Sequence, residues 1–163
     1  MTPACRLVLL ALSALCFLGM AKKESPITVR FHAEANERDT EKFAAPVPFK
    51  NPPRQGFIER IPVINEKQIK AIYPFEAPNG TWGCAFKLND SGRIRLEVVS
   101  TERRGTSIVA FIATKSGAHQ VVDMVVDKPV RDGIINIPHG LTLLEIQMLE
   151  KQFPTLGTTK KKK

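Results

Sequence analysis

His32, His119, His139, Cys84, Asp123 and Asp127 are the side chains best suited to acid–base, nucleophilic or metal chemistry, and their spacing decides what they can do. Asp123 and Asp127 fall on one side of an alternating segment. Along a strand they would stand about 13 Å apart, whereas paired-carboxylate hydrolysis of glycosides needs about 5–9.5 Å. His119 shares that side with Asp123, again too far along the strand for two ligands of one metal. Bringing in His139 needs a tertiary coincidence that nothing in the chain indicates. His32 falls among the polar residues of Ile27-Thr28-Val29-Arg30-Phe31-His32-Ala33-Glu34, on the side expected to face water. Cys84 alternates with Trp82, Phe86 and Leu88 and is expected to behave as a small hydrophobe rather than a nucleophile. There is no glycine-rich phosphate loop, no paired-histidine helix motif and no nucleophile elbow. The expectation is therefore no catalytic residue, no cofactor and no metal ligand.

The charged and modifiable groups point elsewhere. The net charge is +8, but the excess sits at the ends, in Lys22, Lys23 and the run Lys160, Lys161, Lys162 and Lys163. A nucleic-acid-binding domain concentrates Lys and Arg on a folded face, so no specific nucleic-acid partner is expected. The four terminal lysines are candidates for contact with an anionic surface of lipid, polymer or nucleic acid. Asn79-Gly80-Thr81 matches a glycosylation sequon, although a turn already explains these residues. Cys5 and Cys16 lie before residue 22, so the rest of the chain has Cys84 alone and no internal disulfide.

The elements that would position these residues begin after an N-terminal address. Arg6 precedes the apolar run Leu7-Val8-Leu9-Leu10-Ala11-Leu12-Ser13-Ala14-Leu15-Cys16-Phe17-Leu18, which ends at Gly19-Met20-Ala21. A basic start, a short apolar middle and a small-x-small end describe a signal peptide cleaved near Ala21; an uncleaved anchor is the alternative. No later segment approaches the length that spans a bilayer. The protein is thus expected to be exported, periplasmic or extracellular.

Beyond residue 21 the expected units are an N-terminal strand with a Pro-rich surface loop over 22–56, an α+β domain over 57–154 and a disordered Lys-rich tail over 155–163. Residues 65–68 suggest a single helical turn. Residues 69–77 and 82–88 alternate around Pro78-Asn79-Gly80-Thr81. A two-residue Asn79-Gly80 loop would set Ala77 opposite Trp82, Phe75 opposite Cys84, Tyr73 opposite Phe86 and Ala71 opposite Leu88. Pro74 cannot donate to a ladder, so its strand is expected at an edge with its outward side free, where a partner's strand can add. Residues 93–100 alternate like a strand while also carrying helical spacing. Residues 106–114, apolar on both sides, predict a central strand, and 119–127 its return. Thr142-Leu143-Leu144-Glu145 is a capping box. It opens a helix whose apolar side is expected to hold Leu143, Leu144, Ile146, Met148 and Leu149.

From residue 82 to residue 153 the order of pieces resembles the periplasmic P1 head of SecD, of the SecDF export accessory. The resemblance is carried by Phe86-Lys87-Leu88-Asn89-Asp90-Ser91-Gly92, Thr101-Glu102-Arg103-Arg104-Gly105, Asp127-Lys128-Pro129, residues 133–137, Gly140-Leu141-Thr142, and a helix with Glu145 and Leu149. It implies a small α+β fold with a mostly antiparallel sheet and one or two helices on one face. It makes residues 93–100 a helix, carries over no catalytic residue and suggests contact with exported polypeptide. Without SecD's membrane helices, a translocation motor is not implied. The leading expectation is an exported, non-catalytic binding or structural module, with another protein as partner. Attachment through Lys160 to Lys163 is the alternative, and a small secreted hydrolase using His119, His139 or the aspartates is the weakest reading.

Overall fold

The computed structural model describes residues 27–36, 38–39 and 41–156. The elements run β1 (Ile27–Ala33), β2 (Ala44–Lys50), β3 (Pro53–Glu59), a 3-10 turn (Glu66–Gln68), β4 (Ile69–Glu76), β5 (Trp82–Leu88), α1 (Asp90–Glu102), β6 (Ser107–Thr114), β7 (Gly117–Val125), β8 (Ile134–Leu141) and α2 (Leu143–Gln152). The strands form sheets of order β1-β6-β7, β2-β3 and β4-β5-β8, with every ladder between them antiparallel. The α+β expectation holds.

The two three-stranded sheets share one core. Phe31, Val29 and Ile27 of β1, Ala110 and Ile112 of β6, and Phe86 and Cys84 of β5 pack together with Ile137, Leu141, Ile146 and Leu149. β6 is the middle strand of its sheet, as its apolar character on both sides requires. Its inward residues join the main core, while Val109 packs outward against Val47, Phe49 and Ile58 of the β2–β3 hairpin. That hairpin occupies much of the stretch expected to be a loop. Pro46 and Pro48 are exposed on β2, and Val47 and Phe49, which alternate with them, are buried. Proline is tolerated on an edge strand, so here it marks an edge rather than the absence of a strand.

The β4–β5 register differs from expectation by one residue: Ile72 faces Phe86, Tyr73 faces Ala85 and Glu76 faces Trp82. Of Asn79 and Gly80, only Gly80 has positive φ, and its N–H donates to the Ala77 carbonyl at 3.0 Å. Pro78 fixes its own φ near −65° and has no N–H to pair across the strands. It therefore enters the loop, which becomes Pro78-Asn79-Gly80, closed by the Ala77 N–H on the Thr81 carbonyl at 2.9 Å. A register shift between Ile69 and Ala71 lets Ile69, Ala71 and Ile72 all be buried, but Tyr73 turns outward and is 53% exposed. β5 keeps the predicted alternation, with Cys84 and Phe86 fully buried.

Residues 93–100 are helical. Asn89 caps α1 by accepting from the Gly92 N–H at 2.9 Å. Its buried stripe is Gly92, Leu96 and Ser100, leaving Ile94 and Val98 exposed; of the alternating Ile94, Leu96 and Val98, Leu96 alone faces the core. The Asn65–Gln68 turn and the Thr142–Glu145 capping box form as the sequence predicts. In α2, Ile146 and Leu149 are buried, but Leu143 and Leu144 are 51% and 61% exposed. The first turn overhangs the core, so only the later positions of the expected apolar side meet it.

Candidate functional site

The side chains with chemical potential do not converge. A register shift between Ala110 and Phe111 pairs Phe111 with Gln120 and Ala110 with Val122, so Val121 is extra in β7. An extra residue reverses the side to which the rest of the strand points. His119 and Asp123, expected on one side, therefore serve opposite sides. His119 Nε2 lies 3.5 Å from Glu145 Oε1 at the start of α2. Asp123, 3% exposed, uses Oδ2 to accept the backbone N–H groups of Lys50 at 3.0 Å and Asn51 at 2.7 Å. Its carboxylate staples the tip of the β2–β3 hairpin to β7. Among the described residues no group of three or more His, Cys, Asp and Glu could hold a metal ion.

His32 corrects a second expectation. The hairpin folds over the polar side of β1, so His32 is only 9% exposed. Its Nδ1 lies 2.7 Å from the Glu59 carbonyl, and its ring meets Phe111 edge-on at 5.6 Å between centroids. Burial lowers the His32 pKa below its ordinary 6.5, although the Glu59 carbonyl opposes the shift. An unfolded chain would bind that proton first. The stability His32 contributes is complete above pH 6.5 and drains as pH falls through the lowered value. Urea unfolding at pH 7.5 and pH 5 should show this loss, and His32→Gln should reduce the difference; an unchanged difference would remove His32 as its source.

Ion pairs that the sequence does not announce surround this region. Glu34 pairs with Arg54 at 2.7 Å and accepts the Ser107 N–H, Arg103 pairs with Glu59, and Arg54 lies over the Phe49 ring at 4.1 Å. They join the end of α1, the start of β6 and the hairpin.

Cys84 is fully buried, and desolvation pushes its thiol pKa up to about 12. The thiolate is the reactive form, so the thiol should react with a disulfide reagent only through unfolding. In a chain with Cys5→Ser and Cys16→Ser, labelling should be at least about a thousandfold slower in native buffer than in urea; rapid native labelling would contradict this.

The strand edges are unequal. The β4 edge expected to be free is occupied at Ile72: its N–H donates to the Pro154 carbonyl at 2.9 Å, and its carbonyl accepts the Leu156 N–H at 2.7 Å. Pro74, two residues on, has no N–H for the next bond of this parallel pairing. β7 and β8 are outer strands of their sheets and lie side by side, with no ladder between them among the described residues. Beside them is a groove of about 210 Å³, lined by Leu96, Met124, Val125, Val130 and Ile134 among others. Val125 and Ile134 are 47% and 39% exposed. The sequon Asn79 is exposed at the β4–β5 tip, where its Oδ1 accepts the Thr81 hydroxyl at 2.7 Å. Residues 1–21, expected to be a signal peptide, and the candidate contacts Lys160, Lys161, Lys162 and Lys163 lie outside the described residues. Among the described residues no helix is long and apolar enough to cross a membrane.

No family model and no curated protein matches the chain. Solved structures do. A chain from work on the structure and function of SecDF, a membrane component that enhances protein export, aligns with a TM-score of 0.51 at 12% identity, covering 85% of this chain and 72% of that one. The crystal structure of SecDF in its Super-membrane-facing form gives a TM-score of 0.49 at 12% identity, covering 80% of this chain and 19% of that chain. At such identity the likeness is one of fold, and the SecD-like α+β fold expected from the order of pieces over residues 82–153 is the fold this chain adopts.

Proposed function

We propose that this chain is an exported, non-catalytic binding module that holds extended segments of other polypeptides. Residues 1–21 act as its signal peptide, and the folded part works in the periplasm or outside the cell. The observation that carries the reading is the apolar groove beside the unladdered β7 and β8, with Val125 and Ile134 half in water. Unpaired strand edges offer main-chain donors and acceptors to an extended peptide, and the groove takes alternate side chains. The SecD-like fold supports it, because SecDF enhances protein export. The β4 edge is a poorer place for such addition, since Ile72 is already bonded to the chain's own 154–156 segment.

The test uses a permanently unfolded polypeptide, reduced and carboxymethylated lactalbumin, titrated against the native chain. Saturable binding is expected, with Val125→Asp and Ile134→Asp each weakening it about tenfold. Both residues are substantially exposed, so the variants should fold. Equal affinity in the variants, or no binding, would remove the proposal. Attachment through Lys160, Lys161, Lys162 and Lys163 is a separate proposal resting on charge: it should weaken steeply with salt and vanish when they are deleted.

A further inference from the structure

The outer side of the β1-β6-β7 sheet is only partly covered by the hairpin. Its cross-strand rows follow from the register. His32, Val109 and Asp123 form one row, Arg30, Phe111 and Gln120 the next, and Thr28, Ala113 and Ala118 the last. The hairpin covers the first row, through Val109 and Asp123. The last row is open, and its two alanines leave a hollow. The result is a crevice of about 280 Å³ lined by Thr28, Arg30, His32, Ile58, Phe111, Ala113 and Ala118. That is near the lower end of the roughly 300–1,000 Å³ of small-molecule sites, so it suits an occupant the size of one residue.

Its polar groups are few and uncommitted. Glu34 is bonded to Arg54 and the Ser107 N–H, and Glu59 to Arg103. Arg30 is exposed and has no ion-pair or hydrogen-bond partner among the described residues, which makes it the uncompensated charge of the crevice. At the covered end, the Glu59 carbonyl can only accept, so His32 Nδ1 carries the proton. A neutral ring then has Nε2 as a bare acceptor, on a residue that is 9% exposed and lines the crevice. A cation, a neutral acceptor and an apolar floor lie together. The roots of Arg30 and His32 are about 6.6 Å apart on one strand.

A ligand that matches this set must bring an anion, an adjacent N–H donor and an apolar body. A bare aromatic acid has no donor for His32, and a phosphate has no apolar body for Phe111. We propose that the crevice captures the C-terminal residue of a polypeptide. Arg30 pairs with the terminal carboxylate, His32 Nε2 accepts the last peptide N–H, and the terminal apolar side chain lies on Phe111 against Ile58, in the room left by Ala113 and Ala118. This site is on a different face from the β7–β8 groove and does not depend on it.

The probe is N-acetyl-L-phenylalanine, titrated into the full chain and followed by amide and histidine-ring NMR shifts. Saturable shifts at Arg30, His32, Phe111 and Ala118 are expected, with Kd on the order of 1 mM or tighter. Arg30→Gln should weaken binding about tenfold or more, as should replacing the carboxylate by an amide. N-methylating the peptide nitrogen removes the donor to His32 and should weaken it similarly. Ala118→Leu, at an exposed position, should fill the hollow and abolish binding while leaving Arg30 and His32 in place. No saturable shift, equal binding of the amide or the N-methyl compound, or benzoate binding as tightly as the probe would each overturn the proposal. Val125→Asp and Ile134→Asp should leave this titration unchanged, so failure here and failure of the groove reading are separately visible.

Discussion

Phe86→Ala is expected to destabilise the fold by about 3–5 kcal/mol. Phe86 is fully buried at the middle of β5, faces Ile72 on one side and Ile135 on the other, and meets Phe31 edge-on at 5.7 Å between centroids. It therefore stands where the two three-stranded sheets touch. Truncation removes the transfer energy of the ring and leaves a cavity that two laddered sheets cannot collapse around. Domains of this size are stable by only about 5–15 kcal/mol, so the variant should be close to unfolded at physiological temperature. Phe86→Leu keeps most of the volume and should cost less than half as much. Urea midpoints for the two variants check the ordering. A loss below about 1 kcal/mol for Phe86→Ala would mean that the sheets do not share a core at this point.

Asp123→Ala should cost about 3 kcal/mol, and the loss should be local before it is global. The carboxylate accepts two backbone N–H groups at the hairpin tip from a position 3% exposed. Charge-assisted bonds to backbone donors are worth more than neutral ones, and truncation removes the partner of both donors at once. The apolar cluster under the hairpin is small, Val47, Phe49 and Ile58 against Val109, and the hairpin's other ties, Arg54–Glu34, Arg103–Glu59 and His32 on the Glu59 carbonyl, lie away from the tip. Hydrogen exchange should show Lys50, Asn51 and the β2–β3 ladder losing protection while β5 and β6 keep theirs. Asp123→Asn retains an acceptor and should fall between wild type and alanine. Uniform loss of protection across all strands would show that the hairpin is not an independently opening unit.

Much of this molecule was legible locally. The helical turn over residues 65–68, the capping box at Thr142, the double-sided apolar run of β6 and the alternation of Trp82, Cys84, Phe86 and Leu88 each depend on neighbours within a few residues. The order of pieces over residues 82–153 was enough to indicate the SecD-like fold. The candidate binding surfaces were not legible, because each is made by segments far apart in the chain. The β7–β8 groove needs two sheets to end side by side, and the crevice needs β1 and β6 to pair while a hairpin covers only part of them.

Composition and short-range spacing by themselves determined the absence of a recognisable catalytic motif, the buried role of Cys84 and the central place of β6, and the resemblance over residues 82–153 added the α+β character. Tertiary structure alone decided the side to which His119 and Asp123 point, the burial of His32, the outward turn of Tyr73, and the exposure of Leu143 and Leu144. The physical reason is common to these cases. A period-two pattern states which residues alternate, but one extra residue at Val121 or one proline in the Pro78 loop reverses every side chain beyond it. Whether a polar strand face meets water depends on what folds over it, and for His32 that cover is a hairpin whose prolines read as a loop.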